Sequence, residues 1–232
     1  MVQEHFMKSS QEIIKKLKSF NNPKNVAGMA RFGITPKAKA LGVPMPILRK
    51  LAKEIGRDHT LAQQLWQSGI HEAKILASMV DEPNKITSVQ MDKWTRGFDS
   101  WDVCDQVCMN LFFNHSLAFK KCATWPVNKS EFIRRAGFAL MACAAFKNKQ
   151  AKDSDFIKFF PLIKKYATDE RNYVRKAVNW ALRQIGKRNL ALNEKSIRLA
   201  NEIAKIDSKS ARWIAGDALR ELQSEVVKNR LK

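Results

Sequence analysis

The stretch Val174-Arg175-Lys176-Ala177-Val178-Asn179-Trp180-Ala181-Leu182-Arg183-Gln184-Ile185 decides the fold, because much of it occurs again. Val174-Arg175 through Ala181-Leu182-Arg183-Gln184-Ile185 recurs as Ala211-Arg212 through Ala218-Leu219-Arg220-Glu221-Leu222, a period of 37. Upstream, Ile133-Arg134-Arg135-Ala136 matches Val174-Arg175-Lys176-Ala177 at a period of 41, and Ala73-Lys74-Ile75-Leu76 fits the same slot. Periods of about 40 with two helices per unit match HEAT or armadillo stacking, in which each unit buries its apolar face only against neighbours. The expectation is an all-α solenoid of about five or six HEAT-like helix pairs, curved around a concave basic groove, with the N-terminal helix as cap. Residues 1–232 are expected to form a single domain.

Working outward, the same periodicity covers most of the chain. Ile13, Ile14, Leu17 and Phe20 recur at helical spacing, with Ser9 or Ser10 able to cap a helix that runs from Phe6 to Phe20 and stops at Asn21-Asn22-Pro23. Gly33-Ile34-Thr35-Pro36 and Leu41-Gly42-Val43-Pro44-Met45-Pro46 interrupt regular structure and read as an anchored loop. Helices are then predicted over 47–55, 61–67, 71–80, 87–94, 98–113, 130–146, 155–166, 171–186, 192–205 and 208–228. No run alternates with period two for long enough to be a strand.

Composition narrows the function. With 42 Lys and Arg against 22 Asp and Glu, the net charge is +20, which points to a polyanionic partner, nucleic acid ahead of an anionic membrane surface. The excess is larger in residues 129–232, which hold 24 basic and 11 acidic side chains, so that part is expected to supply more of the phosphate contacts. A basic protein that is merely soluble is the plain alternative. Cys104, Cys108, Cys122 and Cys143 lie in apolar helical stretches without C-x-x-C spacing and read as reduced core residues. His5, His59, His71 and His115 are scattered without ligand or triad spacing, and no P-loop, dinucleotide fingerprint, nucleophile elbow or H-E-x-x-H is present. With no signal-peptide core and no uninterrupted apolar run of about 18 residues, a soluble cytoplasmic location is expected.

Two places could carry chemistry. On a wheel of residues 174–187, Val174, Ala177, Val178, Ala181, Leu182 and Ile185 share one face, and Trp180 lies opposite with Lys176, Arg183 and Lys187. A Trp among three cations suits a sugar or a base; alternatively it fills a joint between repeats. Arg135 takes the slot of Lys176 in its own repeat and should project from the same side. The other place is Ser100-Trp101-Asp102-Val103-Cys104-Asp105, where Trp101 and Asp105 are one helical turn apart at the border of the apolar side. A carboxylate facing a polyanion calls for a chemical reason, although Asp105 could instead pair with a basic neighbour. Asp102 lies about 60° further round the helix and reads as a decoy. Trp66, Trp94, Trp125 and Trp213 read as packing residues.

Trp101-Asp102-x-x-Asp105, Phe132-Ile133-Arg134-Arg135-Ala136 and Val174 through Arg183 together resemble the AlkD-like DNA alkylation repair family. The likeness extends through Met29-Ala30-Arg31-Phe32 and Leu41-Gly42-Val43-Pro44 and covers residues 5 to 225; Ser100 stands where another aromatic is expected. The resemblance implies a HEAT-like-repeat DNA glycosylase that excises cationic N3- and N7-alkylated purines, such as 3-methyladenine and 7-methylguanine, from double-stranded DNA. It implies no metal or organic cofactor. By position it implies that Asp105, Trp101 and Trp180 line the catalytic cleft and that Arg135 holds the DNA backbone, with Lys176, Arg183 and Lys187 expected on phosphates. The enzyme is expected to be a monomer without an obligate protein partner or a membrane. The rival reading is a HEAT-repeat module that binds nucleic acid or an acidic protein segment without chemistry.

Overall fold

The computed structural model describes residues 9–231. The described residues form helices and no strand, with one isolated bridge between Lys39 and Ile70. The chain divides between His115 and Ser116 into two compact units. No helix among the described residues is long and apolar enough to cross a membrane, and no group of three or more His, Cys, Asp or Glu there could hold a metal ion.

The first unit contains α1 (Ser10–Ser19), α2 (Pro23–Met29), α3 (Met45–Ile55), α4 (His59–Gln67), α5 (His71–Val80), α6 (Ser88–Arg96) and α7 (Trp101–Asn110). Ser9 caps α1 through a reciprocal bond with Glu12, as the sequence predicts; the expected start at Phe6 lies outside the described residues. Helix α5 packs against α3, α4 and α7 and is buried on nearly every side. Beside it, Trp66 and Trp94 stack with ring centroids 4.2 Å apart, and Phe98 and Phe112 close the cluster.

The loop between α2 and α3 is fixed by two carboxylates. Glu72 of α5, 2 % exposed, accepts hydrogen bonds from the backbone N–H groups of Leu41, Gly42 and Val43, and Asp99 accepts from those of Lys37 and Ala38 at 2.9 and 3.1 Å. Each carboxylate satisfies amides that no regular element can serve. Gly42 sits at φ +72°, and a Cβ there would stand 2.5 Å from the Asn22 carbonyl oxygen. Gly42→Ala therefore combines left-handed strain with a backbone clash and is expected to destabilise the protein by about 1–3 kcal/mol in urea denaturation. An unchanged midpoint would mean that the loop contributes nothing to stability.

The second unit contains α8 (Ala118–Thr124), α9 (Glu131–Lys147), α10 (Asp153–Ile157), α11 (Phe160–Tyr166), α12 (Asn172–Gly186), α13 (Leu190–Ala204), α14 (Lys209–Leu222) and α15 (Glu225–Leu231). Helix α9 is buried from Arg135 to Ala145; α12 packs along it, and α14 along α12. The single helix predicted over 155–166 is instead two, because Pro161 in the first turn of α11 has no N–H to give to the preceding turn. The helix predicted over 208–228 likewise stops at Leu222, where Ser224 Oγ bonds the Glu221 carbonyl at 2.7 Å and α15 begins.

Three rungs fix the register of α12 on α14: Arg175 over the Trp213 ring, Asn179 Nδ2 to Asp217 Oδ2, and Arg183 to Glu221. The rungs advance by one helical turn on each helix, as two neighbouring helices of successive repeats should. Gly186 permits the close approach at the far end, since a Cβ there would meet Leu222 Cδ2 at 2.7 Å. At the opposite end Asp169 joins three helix starts. Its Oδ2 accepts from Arg134 of α9 and from Arg171 at 2.6 Å each, and its carbonyl accepts from Ser210 Oγ of α14 at 2.8 Å. Burial pushes the Asp169 carboxyl up, but the hydrogen bonds from Arg171 and Arg134 outweigh it and hold it below the ordinary carboxylate value.

Candidate functional site

Helix α7 is amphipathic in a way that sorts its residues by role. Val103, Cys104, Val107 and Cys108 are fully buried, while Trp101 and Asp105 lie half-exposed one turn apart. Trp101 is held in place: its Nε1–H donates to the Phe32 carbonyl at 3.0 Å, on the 3-10 turn Ala30–Phe32 that leads into the anchored loop. With its polar edge fixed there, the ring keeps one orientation. Phe32 itself is 72 % exposed.

The other two carboxylates of this segment have structural work. Asp102 Oδ2 lies 2.8 Å from Nε2 of the buried His71, and its Oδ1 accepts from Ser100 Oγ at 2.7 Å. Burial pushes the Asp102 carboxyl up, and the bonds from His71 and Ser100 more than offset this, so it titrates below the ordinary carboxylate value. Ser100, 2 % exposed, thus has a physical role where an aromatic is expected: its hydroxyl serves Asp102. Asp99 is spent on the loop amides and lies 3.9 Å from Lys74 Nζ. Asp105 is the carboxylate on the Trp101 side of the helix.

In the second unit the structure corrects the expected placement of the basic residues. The sequence predicts Arg135, Lys176, Arg183 and Lys187 on one open face, but only Lys176 is exposed. Arg135 is 5 % exposed, and its Nη1 donates to the Tyr173 carbonyl at 2.6 Å, tying α9 to the first turn of α12. Arg183 and Lys187 both donate to the Glu221 carboxylate, and Arg183 Nε lies 3.6 Å from Asp217 Oδ2. Burial raises the Glu221 carboxyl, while the bonds from Lys187 and Arg183 lower it by more, so it titrates below the ordinary carboxylate value. The cause is the register of the repeats, which sets acidic residues of α14 against the basic stripe of α12.

Trp180 stands half-buried in that stripe, neither core nor fully open. With the Gln184 amide turned so that its oxygen faces the indole, that oxygen accepts from Trp180 Nε1 and from Lys187 Nζ, each at 3.2 Å. The structure therefore brings Trp180, Arg183 and Lys187 together on α12, and Trp101 and Asp105 together on α7.

The sequence profile of a family described as DNA alkylation repair enzyme matches residues 13–222. No curated protein matches the chain. Among solved structures, one described as belonging to "a new family of proteins related to the HEAT-like repeat DNA glycosylases with affinity for branched DNA structures" is 18 % identical, covers 96 % of both chains and has a TM-score of 0.79, which shows the shared HEAT-like repeat fold. A designed armadillo repeat protein in complex with a (KR)4 peptide is 13 % identical over 79 % of this chain and 88 % of its own, with a TM-score of 0.32, too low to indicate a common fold.

Proposed function

Because the chain belongs to the DNA alkylation repair enzyme family, we propose that it is a DNA glycosylase hydrolysing the N-glycosidic bond of cationic N3- and N7-alkylated purines in duplex DNA. The observation that carries this reading is the pair on α7: a half-exposed carboxylate, Asp105, one turn from an indole whose ring is fixed by the Phe32 carbonyl. A protein of net charge +20 that only bound phosphates would gain nothing from a carboxylate there.

The chemistry suits those residue types. An N3- or N7-alkylated purine already carries a positive charge, so the C1′–N bond breaks with its electron pair neutralising the departing base, and no general acid is needed. The sugar is left as an oxocarbenium ion. Asp105 stabilises that developing charge and orients the water that adds to C1′, with the surplus proton passing to solvent. Trp101 offers an electron-rich ring face to the same positive charge, an attraction that strengthens toward the transition state, and Trp180 offers DNA such a face on the second unit. Lys176 contacts phosphate directly. Arg183 and Lys187 contact phosphate by exchanging Glu221 for it, and Arg135 acts on the backbone through the first turn of α12, to which it is bonded.

The exchange has a measurable consequence. Glu221→Gln removes the charge that holds Arg183 and Lys187, so duplex DNA should bind several-fold more tightly, and the dependence of log affinity on log salt should steepen by up to about one. An unchanged affinity and slope would remove both residues from the interface.

A second reading, binding without excision, is favoured by the structural neighbour of the same fold whose described property is affinity for branched DNA. A duplex carrying one 7-methylguanine separates the two. The glycosylase leaves an abasic site that breaks under mild alkali, whereas a binding module retards the duplex and leaves it intact.

A further inference from the structure

Trp213 differs from the other tryptophans that the sequence groups with it as packing residues. Trp94 is fully buried, Trp125 is 5 % and Trp66 8 % exposed, but Trp213 on α14 is 38 % exposed. In the repeat alignment it fills the slot of Lys176, a position the preceding repeat leaves to solvent. The Arg175 guanidinium lies 5.0 Å from its ring centroid, which fixes the ring and places a positive charge against it. Lys176, next to Arg175 in the chain, and Lys209 and Arg212, on the helix of Trp213, are exposed cations, and a surface depression at the start of α14 is lined by Arg175, Lys209 and Arg212 together with Glu170 and Asp207. Arg212 pairs with Asp207 at 2.9 Å, which leaves Glu170 as one acid against Arg175 and Lys209, so the depression stays positive.

We propose that Trp213, with Arg175, Lys176 and Lys209, is a second nucleic-acid contact, which stacks an unpaired base of single-stranded DNA on the exposed indole and holds the flanking phosphates. An indole kept partly open beside a guanidinium, within a cationic surface, is what sequence-tolerant single-strand binding requires, because every base offers a π face and every phosphate a charge. A paired base in a continuous duplex has no free face to offer, so the surface discriminates strands by pairing. This goes beyond the glycosylase reading and rests only on DNA being the partner; it needs neither Asp105 nor a lesion.

The test uses the full chain with three probes: an eight-residue oligothymidine, a blunt duplex of the same length, and a polyglutamate peptide. Wild type should bind the oligothymidine with quenching of tryptophan fluorescence. Trp213→Leu should lose about five- to a hundred-fold in that affinity, along with part of the quenching, while its affinity for the blunt duplex stays unchanged. Trp213→Tyr, which keeps a stacking ring, should retain most of the affinity, and equal melting temperatures of the two variants exclude a folding defect. Equal oligothymidine affinity of wild type and Trp213→Leu would overturn the proposal, as would a wild type that binds none. Polyglutamate bound as well as oligothymidine, and lost in the same variant, would assign the surface to an acidic protein instead. If base release from methylated DNA fails while the Trp213 effect is present, the glycosylase reading falls and this surface stands.

Discussion

Asp105→Asn is expected to lower base release from methylated duplex DNA by at least about a hundred-fold, with DNA affinity unchanged or improved. The substitution keeps the shape of the side chain and removes its charge. That charge matters most when C1′ is positive, so its loss raises the barrier more than it weakens the ground-state complex. In the bound ground state a carboxylate near phosphates is repulsive, which is why affinity should rise if it changes at all. Asp102→Asn is the informative contrast. Asp102 is bonded to His71 and Ser100, so its replacement should shift the melting temperature and leave the chemistry per folded molecule nearly intact. Single-turnover rates at saturating protein, with affinities measured separately, distinguish the two. If Asp105→Asn loses binding and rate together, its role is structural and the assignment fails.

The second large effect is on stability. Asp169→Ala removes the carboxylate shared by Arg134 and Arg171, whose side chains are 14 % and 35 % exposed, around an acid that is itself 7 % exposed. Arg134 is also packed over the Tyr166 ring at 4.2 Å and donates through Nε to the Pro126 carbonyl, so it cannot simply swing into water. A fully buried pair broken on one side costs about 3–5 kcal/mol; the half-open Arg171 reduces the expectation to about 2–4 kcal/mol. The effect has a pH signature. The folded-state carboxyl of Asp169 titrates below its unfolded value of about 3.9, so its contribution is present above that value and is lost as pH falls through the lower, folded one. Wild type should therefore lose stability between about pH 5 and the acid limit more steeply than Asp169→Ala. Parallel acid unfolding curves for the two would show that Asp169 is not held in its ionised form by the arginines.

Most of the fold is legible from short-range pattern, and the exceptions have local causes. The apolar face Val174, Ala177, Val178, Ala181, Leu182 and Ile185 is fully buried as the wheel predicts, and the repeat places α12 beside α14. The helix over 155–166 is overpredicted because its apolar periodicity runs through Pro161, where the missing N–H decides against it. The pair Trp101 and Asp105 is visible at one-turn spacing, and Asp102 as a decoy follows from the angle between them; that His71 occupies Asp102 is invisible, since the two are 31 residues apart.

The basic stripe is where sequence reasoning falls short. A helical wheel places Arg183 and Lys187 on the polar side but does not say what lies across from it. The repeat contains that information: Glu221 takes the slot of Gln184 and Asp217 that of Trp180, and the adjacent helix presents those slots to the stripe. Arg135 fails for the same reason, because its slot faces the start of α12 and its guanidinium finds the Tyr173 carbonyl there. Trp213 is misassigned because Trp is usually buried, although its slot belongs to exposed Lys176.

The claim that the lesion's own positive charge drives the reaction is tested most directly by comparing free-base release from two duplexes of identical sequence. One carries a single 7-methylguanine and the other a single hypoxanthine, a neutral purine that needs protonation to leave. Chromatographically detected release of 7-methylguanine, stoichiometric with the lesion under single-turnover conditions, is expected, with no release of hypoxanthine above the spontaneous rate. Release of both at similar rates would mean that a general acid is at work, and release of neither, with both duplexes bound, would mean that the protein holds DNA without cutting the glycosidic bond.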